Sequence, residues 1–145
     1  MRAVETAITI KAPPQRVWEV LINFSRYPEW SSFIRRVDGV AELGTRLRVT
    51  LVPAGRRGVS VRPRVSAMEA NRRFAWTGQL LHPALFSGTH QFLLEPLSDN
   101  ETRLVHTEAF SGILSSLSRH APKGAWEAFT DFNKALKARA ESTTT

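Results

Sequence analysis

The longest apolar-periodic segment of the chain runs from Ile113 to Ala140. Its apolar residues recur at steps of three and four, which predicts an amphipathic helix with one buried stripe. Ser111 and Gly112 precede the segment and are suited to a helix start. Pro122 lies inside it and lacks a backbone N–H, so we expect a kink or a break just before it. The stripe consists of Leu114, Leu117, Ala121, Ala125, Phe129, Phe132, Leu136 and Ala140.

Most of the preceding chain alternates apolar and polar residues, which is the period of a half-buried strand. The predicted strands are Ala3–Lys11, Ile34–Val40, Arg46–Pro53, Val59–Ala70 and Arg72–Leu80. Arg46, Arg48, Arg62 and Arg64 alternate with apolar residues and are expected on the outer face of an antiparallel sheet. Pro63 interrupts the fourth of these strands and indicates a bulge or an edge-like position.

Two short helices are predicted after the first strand. The first covers Gln15–Ile22 and follows two prolines, which are favourable at a helix start. The second begins at Pro28 and ends near Phe33. Four aromatic residues fall within the ten positions 24–33 and form a dense apolar group. They are Phe24, Tyr27, Trp30 and Phe33.

The last two strands, Gly88–Pro96 and Thr102–Phe110, form a predicted hairpin. If Asp99 and Asn100 are its two turn residues and the pairing continues without interruption, His90, Phe92 and Leu94 share the more apolar face. That register places His90 toward the helix and places His106 and Glu108 outward. A slip of one residue would reverse the faces on one strand.

A run of strands followed by one amphipathic helix predicts an α+β fold in which a sheet wraps around the helix. We expect about seven antiparallel strands and two short helices after strand one. The residues expected to face the C-terminal helix are Leu47, Val49, Val61, Phe74, Trp76, His90 and Phe92.

Four segments resemble the START-like (SRPBCC) superfamily, and most closely its polyketide cyclase/dehydrase and lipid transport branch. They are Ala12–Trp18, Phe24–Trp30, Gly88–Pro96 and Thr102–Leu104. The resemblance implies a helix-grip fold over a single domain of residues 1–141, with 142–145 as a frayed tail. It also implies a cavity between the curved sheet and the C-terminal helix, bordered by the two short helices and the hairpin loops.

The net charge of +7 is concentrated in one region of the 145-residue chain. Between Arg35 and Arg73 there are ten arginines and three acidic residues. An acidic partner such as nucleic acid or an anionic surface is one interpretation. A solvated outer sheet face explains the alternation better, so we expect no specific nucleic-acid site and at most a weak anionic-surface contact. The oligomeric state is left open.

Several functional classes are disfavoured by the residues present. The chain has no cysteine, so it forms no disulfide or thiolate site. No apolar run approaches the roughly 20 residues of a membrane span, and the N-terminal residues lack a signal-peptide core. A cytoplasmic protein is therefore expected. No nucleotide-binding or hydrolase motif is found, the four histidines lack metal-ligand spacing, and neither metal nor cofactor is expected.

Three functions remain open. The favoured one is binding of a hydrophobic small molecule, namely a lipid, an isoprenoid or an aromatic polyketide-like compound, in the internal cavity. The second is a cyclase/aromatase or dehydratase in which His90 is the acid or base. The third is an interaction module that uses the arginine-rich face. Catalysis is disfavoured because His90 is the single titratable residue placed inside. The expected ligand-binding residues are Tyr27, Trp30, Phe33, Leu47, Val49, Val61, Phe74, Trp76, His90, Phe92, Trp126 and Phe129.

Overall fold

The computed structural model describes residues 2–52, 57–79, 87–111 and 124–142. The elements in chain order are β1 (Arg2–Ile10), α1 (Pro14–Ile22), a 3₁₀-helix (Phe24–Glu29), β2 (Ile34–Asp38), β3 (Arg48–Leu51), β4 (Val59–Val61), β5 (Arg64–Glu69), β6 (Arg73–Gln79), β7 (Ser87–Ser98), β8 (Glu101–Ser111) and α2 (Ala125–Glu141). This order confirms the predicted α+β helix-grip fold.

The described residues contain eight strands, which form two antiparallel sheets. The larger has the order β1-β8-β7-β6-β5, and the smaller has the order β2-β3-β4. The predicted strand over residues 59–70 is divided between the two sheets at Pro63. The carbonyl of Pro63 accepts the Leu47 N–H at 2.8 Å. Because proline has no N–H of its own, the chain passes here from one ladder to the other.

The C-terminal helix packs its apolar side on the larger sheet. Phe129, Phe132, Leu136 and Ala140 are buried, as the three-and-four spacing predicts. Arg16 of α1 donates to the carbonyl oxygens of Arg139 and Ala140 and so caps the end of α2. The predicted helical part from Ile113 to residue 123, with its kink at Pro122, lies outside the described residues.

The arginine alternation is confirmed, because Arg46, Arg48, Arg62 and Arg64 are exposed. Opposite them, Leu47 and Val49 are almost completely buried, at 1% and 0% exposure. The exposed arginines and buried apolar residues therefore alternate as expected for a half-buried sheet.

The predicted faces of the β7–β8 hairpin are wrong on β8. Ser98 pairs with Glu101 across the expected turn, but the register shifts between Pro96 and Ser98. Leu97 is the extra residue of this β-bulge, and beyond it His90 pairs with Glu108. The shift of one residue turns His106 and Glu108 to the inner face, whereas an uninterrupted ladder would place them outward.

Candidate functional site

The inner faces of β6 and β7 change from large to absent side chains along the strands. Phe74 and Trp76 on β6 are followed on the same face by Gly78, and Phe92 and His90 on β7 are followed by Gly88. The two glycines are paired across the ladder. An added Cβ at Gly78 would meet Pro63 Cβ at 3.9 Å, an ordinary van der Waals contact, so the site can accommodate a side chain.

That space is a cleft of about 510 Å³ between the smaller sheet and β6, β7 and β8. Its apolar wall is formed mainly by Leu51, Val61, Pro63 and Trp76. His90 and Glu108 lie side by side on its polar side. The remaining described lining residues are Arg46, Ser60, Arg62, Gly78 and Gly88. A cleft of this size with a few convergent polar groups is typical of small-molecule sites.

Glu108 and His90 are two titratable side chains that contact each other in the cleft wall. His90 Nδ1 lies 2.8 Å from Glu108 Oε2. The histidine side chain is 4% exposed and the glutamate side chain 25% exposed, so the carboxyl group is the more accessible partner. Among the described residues, Glu108 Oε1 has no hydrogen-bond partner. Within the described part of the chain, this carboxyl oxygen is therefore available to a ligand.

Behind the pair, a chain of buried hydrogen bonds continues into the core. His90 Nε2 contacts His106 Nε2. On the far side of His106, Nδ1 lies 2.8 Å from Asn133 Oδ1. Asn133 Nδ2 donates to Thr6 Oγ1 at 2.8 Å, and Thr6 Oγ1 donates to the His106 carbonyl oxygen at 3.2 Å. Residues of β1, β7, β8 and α2 thus share one polar network, which is costly to leave incomplete in a core.

Burial lowers the pKa of His106 well below its ordinary value of 6.5. The nearby charge of His90 lowers this pKa further, and the hydrogen bond to Asn133 partly opposes the shift. His106 is fully buried and stacks on Phe129 at a ring distance of 4.4 Å. We therefore treat His106 as a neutral ring that is both donor and acceptor.

This depressed pKa predicts acid sensitivity of the fold. As pH falls below 6.5, the unfolded chain protonates residue 106 and the folded protein does not. The free energy of unfolding should then fall by up to about 1.4 kcal/mol per pH unit, until the depressed folded pKa is reached. His106→Gln keeps one donor and one acceptor but cannot titrate, so urea unfolding across this pH window should show a shallower slope. Equal slopes in the two proteins would contradict the prediction.

An aromatic layer fills the space between the larger sheet and α2. Phe92 is parallel to Phe74 at 5.9 Å and also contacts Phe132 at 5.5 Å. The ring centroids of Phe129 and His90 are 5.0 Å apart. The rings of this layer pack against His90 and His106, and the cleft adjoins the layer.

The structure places the predicted ligand-binding residues in three environments. Val61, Trp76 and His90 line the cleft. Trp126 is 58% exposed. The others are buried or half-buried in the core, where they remain predictions as ligand contacts: Tyr27, Trp30, Phe33, Leu47, Val49, Phe74, Phe92 and Phe129.

Sequence reasoning missed Glu108, His106, Asn133 and Thr6 as site residues. A signal for the first two was present, because strand residues separated by two positions share a face. Asn133 lies on the buried side of α2 at 2% exposure, one position after Phe132. A polar residue at such a position indicates a buried partner. No pattern in the sequence identified that partner.

Neither a metal cluster nor a membrane helix is found in the part of the chain that the structure describes. No group of three or more His, Cys, Asp or Glu side chains there could hold a metal ion. Likewise, none of the helices in these residues is long and apolar enough to cross a bilayer.

The sequence profile of one protein family matches nearly the whole chain. The family is described as polyketide cyclase / dehydrase and lipid transport, and the match covers residues 1–141. No curated protein matches the chain.

Solved structures share the fold at low sequence identity. A START superfamily protein from Mycobacterium smegmatis is 21% identical, with a TM-score of 0.76 and coverage of 98% of this chain and 99% of that one. The Zhui aromatase/cyclase from Streptomyces sp. R1128 is 20% identical, with a TM-score of 0.76 and coverage of 97% and 93%. Norcoclaurine synthase from Thalictrum flavum, in complex with dopamine and hydroxybenzaldehyde, is 8% identical, with a TM-score of 0.75 and coverage of 99% and 88%.

Proposed function

Because the chain belongs to the polyketide cyclase/dehydrase and lipid transport family, we propose that its cleft binds a mostly apolar small molecule with a carbonyl group and exchanges a proton with it. Family membership and the START-like neighbours support a fold for hydrophobic ligands. The proposal adds a chemical role to that binding. It makes the protein an acid–base enzyme of the cyclase or dehydratase type rather than a carrier alone.

A single observation carries this proposal, namely the pairing of Glu108 with His90 in the cleft wall at 2.8 Å. The sequence favours the carrier interpretation because its expected register places one titratable residue inside. The inward turn of His106 and Glu108 replaces that lone histidine by three connected groups. Connected titratable groups in a concave site are the usual arrangement for proton transfer.

Glu108 is a better candidate than His90 for the group that touches the ligand. Both ring nitrogens of His90 are already bonded, one to Glu108 and the other to His106. A ligand would have to displace one of them to reach the ring. Glu108 Oε1 can accept or donate a proton while Oε2 stays on His90.

The proposed step is proton removal from the carbon beside a carbonyl. Glu108 Oε1 takes the proton, and the C–H electron pair moves toward the carbonyl and leaves an enolate oxygen. The cationic side chains of Arg46 and Arg62 line the same cleft and can balance that negative charge. The protonated carboxyl group then returns its proton to the enolate carbon or to an oxygen of the ligand.

Filling the cleft should block both binding and proton exchange. We expect Gly78→Phe to abolish saturable binding of an anilinonaphthalene dye, because residue 78 lines the cleft and has space for a side chain. We also expect it to abolish enzyme-dependent deuterium exchange at the α-carbon of 2-tetralone, an apolar ketone, followed by NMR. Leu97→Phe adds bulk at an exposed position and serves as the control.

Two outcomes would count against the proposal. Exchange that persists in the filled variant would place the reaction elsewhere. Dye binding that depends on the cleft, without faster ketone exchange in the unmodified protein, would favour the noncatalytic carrier, which the apolar wall of the cleft also suits.

A further inference from the structure

We infer that Thr6 and Asn133 are positioning residues. They determine which nitrogen and oxygen atoms of His106, His90 and Glu108 carry protons. This inference rests on the proposed acid–base function, because it explains how the pair in the cleft is kept in one protonation arrangement. Neither residue lines the cleft. They act through the two histidines.

Thr6 determines which way the Asn133 amide points. The Thr6 hydroxyl has one hydrogen, and it donates to the His106 carbonyl oxygen at 3.2 Å. Thr6 Oγ1 can therefore only accept from Asn133, which requires Nδ2 of the amide to face it at 2.8 Å. With the amide flipped, the Thr6 hydroxyl would face two acceptor oxygens, Asn133 Oδ1 and the His106 carbonyl, with one hydrogen, and one of the buried hydrogen bonds would be lost. The hydroxyl thus fixes Asn133 Oδ1 toward His106.

The fixed amide in turn selects one tautomer of His106. Because Asn133 Oδ1 is an acceptor, His106 Nδ1 carries the hydrogen of their 2.8 Å bond. A neutral His106 then has a lone pair at Nε2. The contact with His90 Nε2 consequently requires the hydrogen to belong to His90.

One proton is left to share between His90 and Glu108. With His90 Nε2 protonated, the bond from Nδ1 to Glu108 Oε2 holds a proton on either the ring or the carboxyl group. The other described groups that face His90 do not compete for this proton. Trp76 from β6, Phe92 from β7 and Phe129 from α2 are ring contacts that do not take up a proton. His106 from β8 is held neutral. Arg46 and Arg62 line the cleft and carry fixed charges.

The consequence is directional. Among the described residues, the buried end of this chain of hydrogen bonds is closed by the Asn133 amide and the Thr6 hydroxyl, so the shared proton can leave only through Glu108 into the cleft. Thr6 and Asn133 belong to β1 and α2, and neither element contributes a lining residue to the cleft among the described residues. Loss of either residue should change the proton arrangement without altering the cleft lining.

The experiment is NMR of the imidazole nitrogens in ¹⁵N-labelled full-length protein. We expect His106 to be protonated at Nδ1 and unprotonated at Nε2, and His90 to be protonated at Nε2. Thr6→Val removes the hydroxyl at nearly constant volume, and we expect loss of the single Nδ1–H tautomer of His106. Thr6→Ser restores the hydroxyl and should restore the tautomer.

Thr102→Val is the matched control. Thr102 is another buried threonine of the same sheet, and its hydroxyl donates to a backbone oxygen, that of Ala12 at 2.8 Å. Thr102→Val should lower the free energy of unfolding by about as much as Thr6→Val does. It should leave the tautomers of both histidines unchanged.

An Nε2–H tautomer of His106 in the unmodified protein would overturn the inference, whether or not any variant folds. A Thr6→Val protein with an unchanged His106 tautomer would overturn it as well. The proposed function fails separately, if the tautomers are as expected but the unmodified protein does not accelerate 2-tetralone exchange. If exchange occurs and survives a changed tautomer, Thr6 is structural and not a positioning residue.

Discussion

Glu108→Gln is expected to lower the rate of ketone proton exchange by at least about 10²-fold, the lower end of what a general acid or base contributes. Glutamine keeps the shape of glutamate and can still hydrogen-bond His90, but it cannot take or release a proton. The cleft keeps its volume and its apolar wall, so dye binding should be unchanged. Retained binding with lost exchange is the result that separates an acid–base enzyme from a carrier.

Glu95→Gln is the matched control for this substitution. Glu95 also lies on the β7–β8 hairpin and pairs with Arg103 at 2.9 Å, but it does not line the cleft. Removing its charge should leave the exchange rate unchanged. If Glu108→Gln retained the exchange rate of the unmodified protein, Glu108 would not be the group that moves the proton.

Phe92→Ala is expected to destabilise the protein by about 3 to 5 kcal/mol, the range for truncating a fully buried phenylalanine. Phe92 is 0% exposed and lies at the centre of the aromatic layer, in ring contact with Phe74, Trp76 and Phe132. Its removal would leave a cavity between the larger sheet and α2. Urea unfolding followed by tryptophan fluorescence measures the loss as a lower midpoint at constant slope.

Leu97→Ala gives the comparison at an exposed site of the same strand. Leu97 is 53% exposed, and its truncation should change stability by less than about 0.5 kcal/mol. A loss below about 1 kcal/mol for Phe92→Ala would show that neighbouring rings collapse into the space. The layer would then be loosely packed, contrary to the ring contacts observed.

The fold was largely predictable because its signals are local and repeated. Alternation along the strands placed Leu47 and Val49 inward and Arg46 and Arg48 outward, and the structure agrees. The spacing of Phe129, Phe132 and Leu136 predicted the buried side of α2. Each of these patterns depends on residues a few positions apart, and every repeat of the pattern indicates the same buried face.

The site was predicted only in part, because one residue of register decides which side chains of β8 face the core. The sequence placed His90 inward, since its strand alternates clearly with Phe92 and Leu94. It did not reveal that Leu97 is accommodated as a bulge, which turns His106 and Glu108 toward His90.

The sequence by itself determined the order of elements, the buried stripes and the outward arginines of this protein. The tertiary structure alone decided the bulge at Leu97 and the meeting of Thr6, His106 and Asn133, which are up to 127 positions apart along the chain. The spacing of apolar residues within one helix or strand identifies its buried face from neighbouring residues alone. A hydrogen-bond partner on another element is selected only when the elements pack and a buried polar group must be satisfied.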